Sequence, residues 1–295
     1  MPIDYKRSQK LPAMPHITKN MGREAKKALG QHFLIDEHIA DTLVRSVPEI
    51  KDGLVLEIGP GPGPLTKVLL ASSAAHIVAV ELDKGLYDAL KPVADVSNGR
   101  FRLIHQDAMQ LDEAQLLSEM QAYISFRGGD LEKVEKMHII ANLPYNIGTA
   151  LISKWLKEPQ LFASITVMLQ KEVADRLSAE PGTSSYGRLS ILTQMQCEVY
   201  EVCAVPRESF MPPPKVTSAV IRLNPRQELL FAVDMSKLEK LVNLAFSQRR
   251  KMLRSSLKPL FPEISSVLNS CGIKDTARPE ELSIEDFCKL VGHAS

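Results

Sequence analysis

The stretch Leu54-Val-Leu-Glu57-Ile-Gly59-Pro-Gly61-Pro-Gly63-Pro-Leu65-Thr66 constrains this chain more than any other, because it sets three glycines between an apolar run and a helical one. A turn of that composition ends a buried strand, opens a helix, and lets backbone amides approach a ligand where a Cβ would block the way. The next apolar run, Ile77 to Val80, closes on Glu81-Leu82-Asp83. An acid about twenty residues past the turn is placed to accept hydrogen bonds from ribose hydroxyls. A nucleoside-containing cofactor is expected. The Gly-x-Gly-x-Gly spacing is not the Gly-x-Gly-x-x-Gly fingerprint of dinucleotide sites, and proline in the gaps stiffens the loop rather than shaping a pyrophosphate cradle. Methyl transfer is favoured over hydride transfer, with a dehydrogenase and a purely structural glycine turn left as the other readings.

The same alternation continues. Helical residues Leu65 to Leu70 and a helix from Lys84 separate the first strands, and further apolar runs lie at Phe101 to Ile104, Met137 to Ala141 and Ile165 to Leu169. Strands alternating with helices predict an α/β domain with a parallel sheet. Two β-rich runs, Glu198 to Val205 and Ser218 to Leu223, flank the proline-rich loop Pro206 to Lys215 and predict an antiparallel edge hairpin. Upstream, Asp36 is an expected N-cap for a helix whose apolar face is Ile39, Leu43, Val44 and Val47. Beyond Asn224-Pro225 the pattern turns helical and amphipathic, with Leu238, Leu241, Val242 and Ala245 on one face. The expected organisation is a mobile arm over 1–21, a Rossmann-like domain with a mostly parallel seven-stranded sheet over 22–228, and a small α-helical domain over 229–295.

At 295 residues and 44% hydrophobic, the chain buries a core without staples. Its four cysteines form no CxxC pair, so neither a disulfide framework nor a zinc site is expected. No apolar run approaches a membrane span and the polar N-terminus is unlike a secretory signal, which predicts a cytoplasmic protein. A net charge of +1 argues against coating nucleic acid through bulk charge. The charge is nonetheless uneven. The first thirty residues hold seven Lys or Arg against two acids, and Ser247 to Leu260 holds five with no acid. Two such segments meeting on one face would grip a phosphate backbone; read singly, each is a solvated helix face.

The third strand ends at Asp107, where a carboxylate can accept from an adenine amine; alone, it would be a helix cap. The fourth ends in Asn142-Leu143-Pro144-Tyr145. An exocyclic adenine amine is a poor nucleophile because its lone pair is delocalised into the ring. Two acceptors on its hydrogens, the Asn142 side-chain oxygen and the Leu143 carbonyl, favour pyramidalisation and localise that pair. Pro144 fixes the turn and Tyr145 offers a stacking face. A bland reading, a strand-ending turn with a half-buried tyrosine, competes only if the tetrapeptide is taken out of this series.

Asn142-Leu-Pro-Tyr145, with Gly30-Gln-His-Phe-Leu34 upstream and Phe210-Met-Pro-Pro-Pro-Lys-Val-Thr-Ser218 downstream, resembles the rRNA adenine N6-dimethyltransferase family from about Lys27 to the C-terminus. The resemblance implies a Rossmann-like class I methyltransferase domain that uses S-adenosyl-L-methionine and no metal. It implies that His32, Leu34, Gly59, Gly61, Glu81, Asp107 and Asn142 contact that cofactor, with His32 standing where many relatives carry asparagine. It implies further that a flipped adenine is sandwiched between Tyr145 and Phe210. Phe246-Ser-Gln-Arg-Arg-Lys-Met-Leu253 is similar to the type acting on small-subunit (16S) rRNA. That likeness implies dimethylation of two adjacent adenosines in its 3′-terminal hairpin, on a pre-30S particle, by a monomer. Arg249, Arg250, Lys251 and Arg254 would then touch RNA. The other readings are a large-subunit rRNA methyltransferase of the antibiotic-resistance type, a mainly non-catalytic assembly factor that binds RNA, and a DNA adenine methyltransferase.

Overall fold

The computed structural model describes residues 3–4 and 31–293. The expected arm over 1–21, the start of the ordered fold at Gly22 and the basic residues from Lys6 to Lys27 lie outside the described residues. The chain divides into two compact units, Met1–Lys171 with Tyr200–Pro225, and Glu172–Val199 with Arg226–Ser295. The expected boundary at 228/229 therefore needs correction, since Glu172–Val199 joins the second unit. The reason is packing: Tyr186, Ile191 and Met195 share one apolar cluster with Leu241, Val242 and Phe287.

The first unit is built on a seven-stranded sheet. Its strands are β2 (Leu54–Ile58), β3 (His76–Glu81), β4 (Phe101–His105), β5 (Met137–Asn142), β6 (Phe162–Gln170), β7 (Cys197–Val205) and β9 (Ser218–Pro225), in the order β4-β3-β2-β5-β6-β9-β7. The pairs from β4 to β6 are parallel and β6–β9 is antiparallel, with Val167 opposite Ile221. All five side chains of β2 are buried, as a central parallel strand covered on both faces requires. The order reverses at β2, with β3 on one side and β5 on the other, and ligands in such sheets bind beyond the strand ends at that reversal.

Helices fill the crossovers. α1 (Glu37–Arg45) is capped by Asp36, whose side chain accepts from the amides of His38 and Ile39 at 3.0 and 3.4 Å. The expected cap is present, and Ala40, Leu43 and Val44 form the buried face. α2 (Pro64–Ala71) starts on proline directly after Gly63, and α3 (Lys84–Asp95) is capped by Asp83. α4 (Glu113–Phe126) and α5 (Gly148–Trp155) follow β4 and β5.

The proline-rich loop is more ordered than its composition suggests. It contains β8 (Phe210–Met211), which pairs antiparallel with β1 (Phe33–Leu34), matching Phe33 to Met211 and Leu34 to Phe210. The upstream Gln-His-Phe-Leu segment and the downstream Phe-Met-Pro segment are thus one small clasp.

The second unit is helical: α6 (Lys171–Ser178), α7 (Arg188–Gln196), α8 (Met235–Ser247), α9 (Leu253–Ser256), α10 (Ile264–Ser270) and α11 (Ile284–Gly292). Leu238, Leu241, Val242 and Ala245 are the buried face of α8, as their spacing predicts. Among the described residues no helix is long and apolar enough to cross a membrane.

Candidate active site

Four successive strand ends converge on one cavity of about 300 Å³ in the first unit, within the range of small-molecule sites. β2 delivers the glycine turn, in which Gly59, Gly61 and Gly63 have φ of +64°, +57° and +91°. That left-handed backbone is what the three glycines were needed for. Space is tight as well: a Cβ on Gly61 would lie 3.3 Å from the Phe33 ring, and one on Gly59 would touch Pro144 at 3.8 Å. The turn is therefore held between the β1 clasp and the Asn142–Tyr145 segment.

β3 delivers Glu81, which is 6% exposed. Its carboxylate accepts from the Gly61 amide at 3.1 Å and from the Asp83 amide at 2.8 Å, so both oxygens are oriented by backbone. Burial raises its pKa, and those two amide bonds oppose the rise. β4 delivers Asp107. One oxygen caps the short turn after it, accepting from the Met109 amide at 2.8 Å. The cap reading and the ligand reading are compatible, because a carboxylate has acceptor capacity to spare.

β5 delivers Asn142. Its side-chain amide donates to the His32 carbonyl at 3.3 Å, which fixes the side chain with Nδ2 engaged. Leu143 is anchored by its own amide to the Met168 carbonyl at 3.0 Å, and Pro144 accepts from the amides of Ile147 and Gly148 in the turn that follows. Tyr145 gives a hydrogen bond between its hydroxyl and the Ser218 hydroxyl on β9, and burial raises its pKa.

His32, Leu34, Gly59, Gly61, Glu81, Asp107 and Asn142 all line this cavity, together with Leu143, Pro144 and Tyr145. Phe210 does not. It is 2% exposed and packs in the core with Leu34 and Val220. Residues opposite each other in an antiparallel pair share a face, so the Leu34–Phe210 register sends both side chains of that pair into the core. The ring beside Tyr145 is instead His32, with centroids 5.2 Å apart and planes at 31°. The implied sandwich between Tyr145 and Phe210 is not the arrangement here. Arg249, Arg250, Lys251 and Arg254 belong to the second unit.

Sequence reasoning assigned no role to Glu57. It lines the cavity beneath the glycine turn at 1% exposure, accepts from the Thr66 hydroxyl at 2.7 Å, and keeps its other oxygen without a partner among the described residues. Burial pushes its pKa up to about 8, the Thr66 bond opposes this and the Glu81 charge adds to it. The available signal was an acid inside an otherwise wholly apolar strand. Among the described residues no cluster of three or more His, Cys, Asp or Glu side chains is disposed to hold a metal ion.

The fold and this arrangement of strand ends define a Rossmann-like class I methyltransferase. The family model for ribosomal RNA adenine dimethylase matches residues 22–294, and the chain belongs to that family. It is 41% identical over 282 residues to a Ribosomal RNA small subunit methyltransferase A of Cereibacter sphaeroides, covering 95% of this chain and 96% of the relative. The like-named protein of Paramagnetospirillum magneticum is 42% identical over 280 residues, covering 95% and 94%. Among solved structures it is similar to a dimethyladenosine transferase from Plasmodium falciparum, with TM-score 0.69, 27% identity and coverage of 89% and 97%. The 23S rRNA methyltransferase ErmE follows at TM-score 0.65, 25% identity and coverage of 89% and 99%.

Proposed function

We propose that this chain transfers methyl groups from S-adenosyl-L-methionine to N6 of two adjacent adenosines in the 3′-terminal hairpin of small-subunit (16S) rRNA, two to each. The observation that carries the chemistry is the Asn142–Tyr145 turn opening on the same cavity as Glu81 and Asp107. Small-subunit RNA is favoured over large-subunit RNA by the names and roughly 40% identity of the full-length relatives. The setting is a pre-30S particle in the cytoplasm with the chain acting as a monomer, a part of the reading that rests on likeness to those relatives.

The cavity suits the cofactor chemically. The carboxylates of Glu81 and Asp107 present acceptors for ribose hydroxyls and a base amine, and the unpartnered Glu57 oxygen offers a further hydrogen-bonding group beside them. When bound, the cofactor supplies a sulfonium-activated methyl group. The chain's own residues bind, orient and exclude water. Asn142 has its amide nitrogen committed to His32, so its oxygen remains to accept from the target amine; the Leu143 carbonyl is the second acceptor. Aligning a bound amine with the methyl group replaces a bimolecular encounter; the methylated amine then loses its proton to solvent, so no general base is required of the protein. Of Arg249, Arg250, Lys251 and Arg254, expected to touch RNA, Arg249 and Arg254 have partners within the second unit, which leaves Arg250 and Lys251 as the RNA contacts of this proposal.

The test supplies radiolabelled S-adenosylmethionine together with unmodified small ribosomal subunits and unmodified large-subunit rRNA, and then maps the labelled nucleosides. Label in N6,N6-dimethyladenosine of 16S rRNA is the expected result. Label confined to large-subunit rRNA would move the enzyme to the other branch, and binding without label would leave an assembly factor.

A further inference from the structure

Lys154 lies in the last turn of α5, the helix into which the Asn142–Tyr145 turn runs. Its ammonium group donates to the Ala108 carbonyl at 3.0 Å, to the Leu111 carbonyl, and to the Glu113 carboxylate at 2.9 Å. An ammonium has three N–H groups, and each has an acceptor. With its side chain 23% exposed, Lys154 is not an exposed cation awaiting a phosphate. Glu113 is 7% exposed and also accepts from the Trp155 indole at 2.9 Å, so two consecutive residues of α5 hold one buried carboxylate.

What Lys154 grips matters more than how tightly. Ala108 to Gln110 is the single turn that follows Asp107, and Leu111 is its C-cap. The lysine therefore holds both ends of that turn from behind, while Gln106, Asp107, Ala108 and Met109 form its cavity side. Charge-assisted bonds in a partly buried setting are stronger and more directional than neutral ones, and displacement of a positioned group by an ångström is enough to weaken binding or catalysis.

Resting on the reading of the cavity as a nucleoside site, we infer that Lys154 is a positioning residue for the cofactor: through the Ala108 and Leu111 carbonyls it sets the Asp107 loop against the Asn142 turn and so fixes affinity for the nucleoside half. Glu113 orients the ammonium for this task.

The experiment uses the full chain and two probes, S-adenosylhomocysteine and 5′-methylthioadenosine, which keeps the nucleoside but lacks the amino-acid part. Calorimetry on Lys154→Met is expected to show both probes weakened by the same factor, about tenfold, with KM for S-adenosylmethionine raised alike and KM for small subunits and saturated kcat within about threefold of wild type. Unchanged probe binding, or a parallel loss in cofactor and RNA parameters, overturns the inference. Failure of the wild-type chain to bind either probe would instead overturn the nucleoside-site reading. If Lys154→Met does not fold, Glu113→Gln tests the same joint while keeping an acceptor for Trp155, and the same selective loss is expected. Loss of folding in both variants would assign the pair to stability alone and overturn the inference.

Discussion

The Asn142 side-chain amide donates to the backbone carbonyl of His32 across 3.3 Å. Two segments far apart in sequence are joined there, and the bond decides which end of the amide faces the target amine. Because the His32 contribution comes from its main chain, an asparagine at position 32 would serve the bond equally. The His32 ring has other duties: Nδ1 lies 2.8 Å from the Pro212 carbonyl, and the ring packs on Tyr145.

Replacing Asn142 with alanine removes one of two acceptors for the target amine while leaving the cavity walls in place. Single-turnover transfer should fall by about two to three orders of magnitude, the usual scale for an oriented transition-state hydrogen bond. RNA affinity, measured by filter binding, should stay near wild type. Joint loss of transfer and binding would assign Asn142 a folding role. His32→Asn should keep most of the activity, since the carbonyl that holds Asn142 remains.

Much of this site was legible because strand-end chemistry is local. Gly59, Glu81, Asp107 and Asn142 each close an apolar run, and a parallel sheet places consecutive strand ends side by side. What escaped depends on long-range pairing. Nothing local in Pro206 to Lys215 announces that Phe210 and Met211 pair with Phe33 and Leu34, and the face on which Phe210 points follows from that register. The membership of Glu172–Val199 in the helical unit escaped for the same reason, since only packing of Tyr186 and Met195 against α8 and α11 reveals it. Lys154 resembles an ordinary helix-end cation until its three acceptors are seen.

Phe210 should behave as a core residue. Phe210→Ala is expected to cost about 3–5 kcal/mol of stability by denaturant titration, the range for truncating a buried aromatic. Phe210→Leu keeps most of the apolar volume and should cost less than about 1.5 kcal/mol if neighbours repack. With the fold retained, its transfer rate should follow the folded fraction. A collapse of kcat in stably folded Phe210→Leu would restore the stacking role that the family resemblance implies.

Glu57 makes stability depend on pH in a direction opposite to an ordinary paired carboxylate. Its folded pKa of about 8 lies above its usual 4.5, so the native chain keeps a proton that the unfolded chain releases. Stability therefore falls as pH rises from about 4.5 to about 8 and levels off above. His138 acts the other way: burial lowers its pKa from 6.5 to about 4, so its contribution grows as pH rises through that interval. The two overlap below pH 6.5, so Glu57 is read between there and 8, where Glu81, whose pKa burial also raises, adds to the same decline. Glu57→Gln should flatten the decline of Tm in that window, and a slope identical to wild type would reject a protonated Glu57.

The basic stretch of the second unit divides into cations with structural partners and cations without. Arg249 donates to the Ser184 carbonyl at 2.7 Å and to the Thr183 carbonyl at 3.4 Å, tying down the loop before α7. Arg254 pairs with Asp275 at 3.2 Å. Arg250 and Lys251 are exposed and, among the described residues, have no carboxylate within ion-pair distance. A phosphate contact releases counterions, and each one lost lowers the dependence of log affinity on log salt by about 0.7 to 0.9. The double variant Arg250→Ala/Lys251→Ala should therefore weaken binding to small subunits and flatten the salt slope by between about one and two units, with Tm unchanged. Arg249→Ala should do the reverse, lowering Tm through the freed loop while moving the slope little. An equal flattening by both variants would mean that the carbonyl bonds of Arg249 give way to phosphate when RNA binds, and an unchanged slope in the double variant would remove this stretch from the RNA interface.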